Sequence, residues 1–394
     1  MRLLRQIFHF DHLIVAAFTL LIIKLMVAVA VNLDFLSPVV RAVENFSMTD
    51  IYYRIGDNGG DAESENIVTL VDMTDLSRRK DIAAVISEIK SMKPAALGVD
   101  IIFEGRQLDG DGDDILSEAC LDGDTDNVVW AYKLTKYDRE GDKFRNCLHS
   151  FFITDDGQRE GFINMVQNPA KSIREYSVTL PYRDTVAYSL PAQIARIVSG
   201  REPECEGRHT INYRQAEFPV VGYDRLADCR EVIEGHIVLL GTTQEERDIY
   251  YTPIGQKPGL EILAYTVLSI IEDQHVRHAG EWMVILWALL AGYMANLLDF
   301  MLTKRMGNRH STFMLFITQS EFYDKIMSLV VMILITWASF ELFSRYNYFV
   351  DTVLALSNIV LIEEGRLLYV ALLAVLKRKT KWKWVGKSIY IEEI

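Results

Sequence analysis

Four apolar segments constrain this chain more than any other feature: Leu13–Leu36, Trp282–Leu302, Ile326–Phe343, and a stretch from near Phe349 to about Leu367. The hydrocarbon core of a bilayer is about 30 Å thick, and a helix needs about 20 apolar residues to cross it. All four read as transmembrane helices, one before and three after a long polar block. The first, interrupted by Lys24, competes with a signal peptide. Its apolar run is too long for that and no small-residue cleavage site follows it, so it reads as an uncleaved anchor. Residues 37–279 carry 42 acids against 26 bases, while the rest of the chain carries 12 against 15. An acidic block of this kind argues against nucleic acid as a partner, because phosphate binding needs a basic surface.

Short-loop Lys and Arg residues set orientation. Arg2 and Arg5 precede the first segment, Lys304, Arg305 and Arg309 lie between the second and third, and Lys377, Arg378, Lys379, Lys381, Lys383 and Lys387 follow the fourth. With four spans all three clusters fall on one side, the cytoplasmic one. Both termini are then cytoplasmic and residues 37–279 lie outside. The basic tail, with Trp382 and Trp384, suits an anionic lipid surface or the docking of a separate protein. Phe313–Ile317 is expected to lie flat at the same face.

The four cysteines, Cys120, Cys147, Cys205 and Cys229, all sit in the exported block. An even count in an oxidising compartment reads as disulfides. Cys120–Cys147 and Cys205–Cys229 are the expected pairs, each closing a short excursion. A metal site is the competing reading, but it lacks close Cys pairs and His spacing.

Within the exported block, Asn66–Asp72 and Ala96–Phe103 are buried-strand patterns. They flank a helical pattern over Thr74–Met92, with Leu76, Ile82, Val85, Ile86 and Ile89 on one face. Strand, helix, strand with continuously apolar strands reads as a β-α-β unit. Further strands are expected at Asn127–Leu134, Gly161–Val166, Tyr176–Pro181 and Ile237–Gly241. Helices are expected at Asp113–Ala119, Ala187–Val198 and Glu261–Ile271. The predicted fold is an α/β domain with a mostly parallel or mixed sheet and flanking helices, plus four transmembrane helices.

Here the sequence resembles a known family. Ile-Val-Thr-Leu-Val-Asp followed by Lys-Pro-Ala-Ala-Leu-Gly-Val-Asp-Ile-Ile-Phe is similar to the opening of the CHASE2 extracellular sensory domain. The run Gly235-His-Ile-Val-Leu-Leu-Gly-Thr-Thr, then Asp248, Thr252-Pro253 and Pro258-Gly-Leu-Glu-Ile-Leu-Ala264, resembles its close. The family's membrane plan is also one helix before the domain and three after it. Two positions depart from its pattern: Leu263, where the family often has histidine, and Gln244, where it often has alanine. The resemblance implies a sensor, and family members usually carry a cytoplasmic output module. About 18 residues follow Leu376 here, so a standalone form is expected, one that signals to a separate protein and self-associates as a homo-oligomer. A bacterial inner membrane is the expected location.

Ligands of open α/β sheets bind outside the carboxyl ends of the strands. Asp72 and Asp100 each end a predicted strand, Gly241, Thr242 and Thr243 end another, and Asp248 follows. These six are the candidate ligand residues. The competing role is structural, with Asp72 capping the next helix and the hydroxyls satisfying turn amides. The acidic stretch Glu104–Asp126 lacks the Gly and Glu that a calcium loop needs at positions 114 and 120, so Asp113 reads as a helix cap. No hydrolase, phosphate-loop or kinase signature is present, and no cofactor is implied. In the membrane part Lys24 is expected either to contact Glu363 or Glu364, coupling the first and last helices, or to extend its amine to the interface. The function expected is a non-enzymatic membrane sensor. A purely structural subunit is the alternative, and an envelope enzyme using the paired aspartates the weakest reading.

Overall fold

In the computed structural model, residues 9–31, 52–53, 67–107, 111–123, 125–153, 159–167, 172–203, 207–213, 217–273, 275–307, 321–379 and 388–390 are described. Cys205, Phe313–Ile317, Lys381, Trp382, Lys383, Trp384 and Lys387 lie outside them. The chain divides into two units, Met1–Met48 with His278–Ile394, and Thr49–Arg277.

The first unit begins with helix α1 (Phe10–Val31). The second is built on β1 (Val68–Asp72), α2 (Arg79–Ser91), β2 (Ala96–Val99), α3 (Asp111–Leu121), β3 (Val128–Asp138), β4 (Lys143–Leu148), β5 (Glu160–Phe162), β6 (Val166–Gln167), β7 (Ile173–Ser177), β8 (Thr179–Tyr182), β9 (Thr185–Tyr188), α4 (Leu190–Ser199), β10 (Arg208–Thr210), β11 (Val220–Gly222), β12 (Ile237–Gly241), β13 (Ile249–Thr252), β14 (Gly255–Pro258) and α5 (Gly259–Ile271). The main sheet runs β11-β1-β12-β2-β3-β4-β8-β9, with β5 also paired to β3. The pairings from β11 to β3 are parallel, whereas β3–β4 and β8–β9 are antiparallel. The sheet is therefore mixed.

Alternation along the strands builds two apolar layers. Val238 and Leu240 of β12 face Ile82, Ile86 and Ile89 of α2 and Leu116 of α3. Ile237 and Leu239 face Leu190 and Ile194 of α4 and Leu260, Leu263 and Val267 of α5. Side chains two apart on a strand share a face, so each strand must be apolar throughout, as parallel strands covered on both sides are. Helix α4 starts on the Ser189 hydroxyl, which accepts the Ala192 amide at 3.3 Å, and ends at Gly200 in the left-handed region, as capping rules favour.

β1 and β2 do not touch. β12, 165 residues after β1 ends, lies between them and pairs with both. The register sets Asp72 beside Gly241 and Val99 beside Leu240. Helix α2 begins at Arg79, five residues later than its sequence pattern implies, with Met73 bonded instead to Gly241 of β12 and Thr74 to Thr243 and Gln244 just after it.

The cysteine pairing is corrected. Cys120 is a free thiol, fully buried in the layer under α2 and α3. Cys147 is free as well. It packs with Leu134, Phe162 and Tyr182 around β4, its Sγ 3.0 Å from the Tyr182 hydroxyl. These are different clusters, so the expected Cys120–Cys147 bond has no geometry to form. Cys229 is also free, and its expected partner Cys205 lies outside the described residues. A thiol packs as a small apolar side chain, and Cys120 is used that way.

The first unit continues with α6 (Glu281–Gly307), α7 (Glu321–Tyr346), α8 (Val353–Val360) and α9 (Ile362–Lys379). Among the described residues, three helical stretches are long and apolar enough to cross a membrane: Phe10–Ala28, Glu281–Met301 and Lys325–Tyr346. The expected fourth span is a broken helix, interrupted at Leu361 between α8 and α9. The exposed faces of the unit are apolar, with Leu21, Leu25, Trp282, Leu286, Ile333, Trp337 and Leu367 outward. Polar side chains point inward. Asn358 is fully buried and donates to the Ala288 carbonyl at 2.9 Å. Inward polar groups joining helices are a membrane-helix arrangement.

Candidate functional site

The carboxyl ends of β1, β12 and β2 carry Asp72, Gly241, Thr242, Thr243 and Asp100, Asp248 closes the turn Glu246–Asp248 before β13, and the two aspartate groups here have different tasks. Asp72 ties two loops together. Its Oδ1 accepts the Thr74 hydroxyl at 2.6 Å, the Thr74 amide at 3.2 Å and the Thr243 amide at 3.0 Å. Its Oδ2 accepts the Gln244 side-chain amide at 3.4 Å. Burial alone would raise the Asp72 pKa, but the Thr74 hydroxyl and the Thr243 and Thr74 bonds outweigh it and hold the carboxyl below its usual range. A carboxylate has about four acceptor positions, and here they serve the chain itself. Gln244, one of the two departures from the family pattern, completes this latch. Gly241 continues it through its carbonyl, which accepts the Met73 amide at 2.9 Å.

Asp100 and Asp248 form the second group. Asp100 leaves β2 beside Gly241, where a Cβ on that glycine would lie 3.4 Å from the Asp100 Cβ. It is partly exposed, yet protein surrounds most of it. That burial first, and the Asp248 charge second, push its pKa up to about 7. Asp248 is raised as well. Burial is the main cause and Glu245 adds to it, while the Tyr250 hydroxyl and the Gly259 amide oppose it. Burial and the two carboxylates push Tyr250 up to about 12, so it stays a hydrogen-bond donor to Asp248. The Gly259 amide opens α5. A side chain there would put its Cβ 2.7 Å from Asp248 Oδ2, so glycine is what lets the carboxylate reach the helix N-terminus.

Thr242 lies beside this edge, part-exposed. Tyr250 was not foreseen from the sequence. Its only signal there is its position two residues after Asp248.

The other expected sites resolve differently. Arg79 and Asp113 form a buried ion pair, and Asp113 also accepts the Gln107 amide at 2.6 Å. Asp114 pairs with Arg106 at 3.0 Å. Lys24 lies on the exposed face of α1 and makes no ion pair with Glu363 or Glu364. The buried stripe of that helix is Val15, Ala16, Thr19, Leu20 and Ile23, and Lys24 stands one position beyond it. Among the described residues, the charge pair joining these helices is instead Arg366 of α9 with Asp299 of α6. Leu263, the other departure from the family pattern, lines a cleft of about 360 Å³, open mouth included, with Phe162, Tyr176, Pro191, Ile262 and Thr266.

The profile of the CHASE2 domain matches residues 22–297, which takes in the last ten residues of α1, the whole α/β unit and much of α6. This chain belongs to the CHASE2 domain family. No curated protein and no solved structure matches it. CHASE2 is a sensory domain family, and three apolar helices of spanning length accompany the domain here.

Proposed function

We propose that this CHASE2 protein is a non-enzymatic membrane sensor. Its α/β domain faces outward and engages a ligand or an envelope protein at the Asp100–Asp248–Tyr250 edge. The membrane unit passes the change to a separate protein. The observation that supports this reading most is the contrast at the carboxyl edge of the sheet. Asp72 is consumed by internal bonds, while Asp100 and Asp248 hold protons more tightly than ordinary carboxyls. Such groups change charge in response to what approaches them, and functional sites concentrate them. A ligand moves a sensor only through its different affinity for two states, and a change of charge at this edge supplies a difference of that kind.

A purely structural subunit is the second reading. It is favoured by the Asp72 latch, whose hydrogen bonds join the loops after β1 and β12. The two separate in one experiment. The protein is taken from its native membranes in lipid nanodiscs and weighed intact, as wild type and as Asp100→Asn. A sensor releases or retains its bound partner differently in the two. A structural subunit carries the same partner in both.

A further inference from the structure

At one end of the membrane unit the chain's last described residues are seated in a built polar socket. Asp11 of α1 is only 3% exposed. Its Oδ1 accepts the Tyr369 hydroxyl of α9 at 3.0 Å. Its Oδ2 accepts the Ser388 hydroxyl and the Ile389 amide, both at 2.7 Å, with His9 Nδ1 3.2 Å away. Asn296 of α6, 1% exposed, donates to the Tyr390 hydroxyl at 2.9 Å and lies 3.0 Å from His12 Nδ1. The Tyr390 ring is itself 1% exposed and meets Tyr369 and Phe300 edge-on. A buried carboxylate is tolerated only with donors on its oxygens, and two of the donors on Asp11 come from this one short segment.

We propose that Ser388–Tyr390 is a strap that reads the spacing of α1, α6 and α9, docking in one arrangement of these helices and releasing in another. Three helices contribute to the socket, one through Asp11, one through Asn296 and one through Tyr369. The strap touches all of them within three residues. Hydrogen bonds of 2.7–2.9 Å are lost steeply with misalignment, so a shift of α1 against α6 or α9 undocks the strap. Release leaves Asp11 in the first turn of α1, where the helix N-terminus favours a negative charge, and still beside Tyr369. The released state is therefore accessible, which is what a two-position device needs. The inference stands on the membrane unit alone and does not depend on what the outer domain engages.

The test is hydrogen exchange by mass spectrometry on the full chain in nanodiscs, read on the peptide containing Ile389. The wild type is expected to exchange this peptide at least tenfold more slowly than an unstructured chain. Ser388→Ala and Tyr390→Phe are expected to remove most of that protection, as is Asp11→Asn. Lys24→Gln is expected to leave it intact. The first two changes lie at the end of the chain and keep the test valid if the Asp11 variant fails to fold. A wild-type peptide exchanging at the unstructured rate overturns the strap, and so does full protection in both Ser388→Ala and Tyr390→Phe.

Discussion

Asp100→Asn is expected to stabilise the α/β domain at neutral pH and to remove much of its acid dependence. The folded domain holds the Asp100 proton up to about pH 7, against about 3.9 for an unperturbed aspartate. Folded protein therefore binds the proton more tightly than unfolded protein. The stabilisation is full below about pH 4 and is lost as pH rises toward 7. Three units at about 1.4 kcal/mol each give roughly 4 kcal/mol as an upper value. Partial exposure of the side chain reduces it to on the order of 2–4 kcal/mol. An uncharged Asn avoids the penalty at pH 7.5 and gains nothing at pH 4.5. The fully buried Cys120 thiol gives a readout confined to this domain. Urea titrations of the full chain at pH 4.5, 6 and 7.5 end in a short labelling pulse at a common pH, and the Cys120 peptide is weighed. The stability gap between variant and wild type should close as pH falls. A gap that is the same at all three pH values refutes the assignment of Asp100 as a raised, buried acid.

Asp72 has the opposite sign. Its lowered pKa gives stability that is present above about pH 4 and lost as pH falls through the folded value, so Asp72→Ala should cost about 1–3 kcal/mol at pH 7 and less at pH 3.5 in the same urea assay. Gly161→Ala should prevent correct packing of α4, since a Cβ there meets the backbone of Leu190 and the Ser189 carbonyl carbon at 2.8 Å. A loss of several kcal/mol, or no folded protein in membrane extracts, is expected. Arg366→Gln removes the guanidinium that faces Asp299 between α6 and α9. A lower unfolding temperature in nanodiscs is expected, with recovery in the double variant Asp299→Asn, Arg366→Gln.

The strands β1, β2 and β12 were legible in the sequence because both their faces are covered, which forces unbroken apolar runs. Three of the four apolar segments were legible as spanning helices for the same kind of reason, lipid and protein both demanding apolar surface, whereas the break at Leu361 between α8 and α9 was not. The order β1-β12-β2 was not, since no local pattern records that a strand from the far end of the chain enters between two neighbours. In the sequence Asp72, Asp100, Gly241, Thr242, Thr243 and Asp248 form one group at a shared edge. Only coordinates separate the latched Asp72 from the proton-holding Asp100, because the difference lies in the Thr74 hydroxyl and the Thr243 amide. The disulfides failed as an inference because cysteine number and compartment say nothing about distance, and Cys120 serves as a core residue. Lys24 drew attention as a charge in an apolar run, while the helix contacts use Asp11, Asn296, Asn358 and Arg366. Asn296 and Asn358, polar residues within apolar segments, were the available signal for that network.

An outward-facing domain is what a sensor of this design requires, and it is measured most directly on Cys147 and Cys229. Both are free and part-exposed on the α/β unit. Cells carrying the full-length protein are converted to spheroplasts and treated with a membrane-impermeant maleimide before and after lysis. Both thiols are expected to label fully before lysis. Labelling that appears only after lysis places the domain in the cytoplasm and contradicts the sensor.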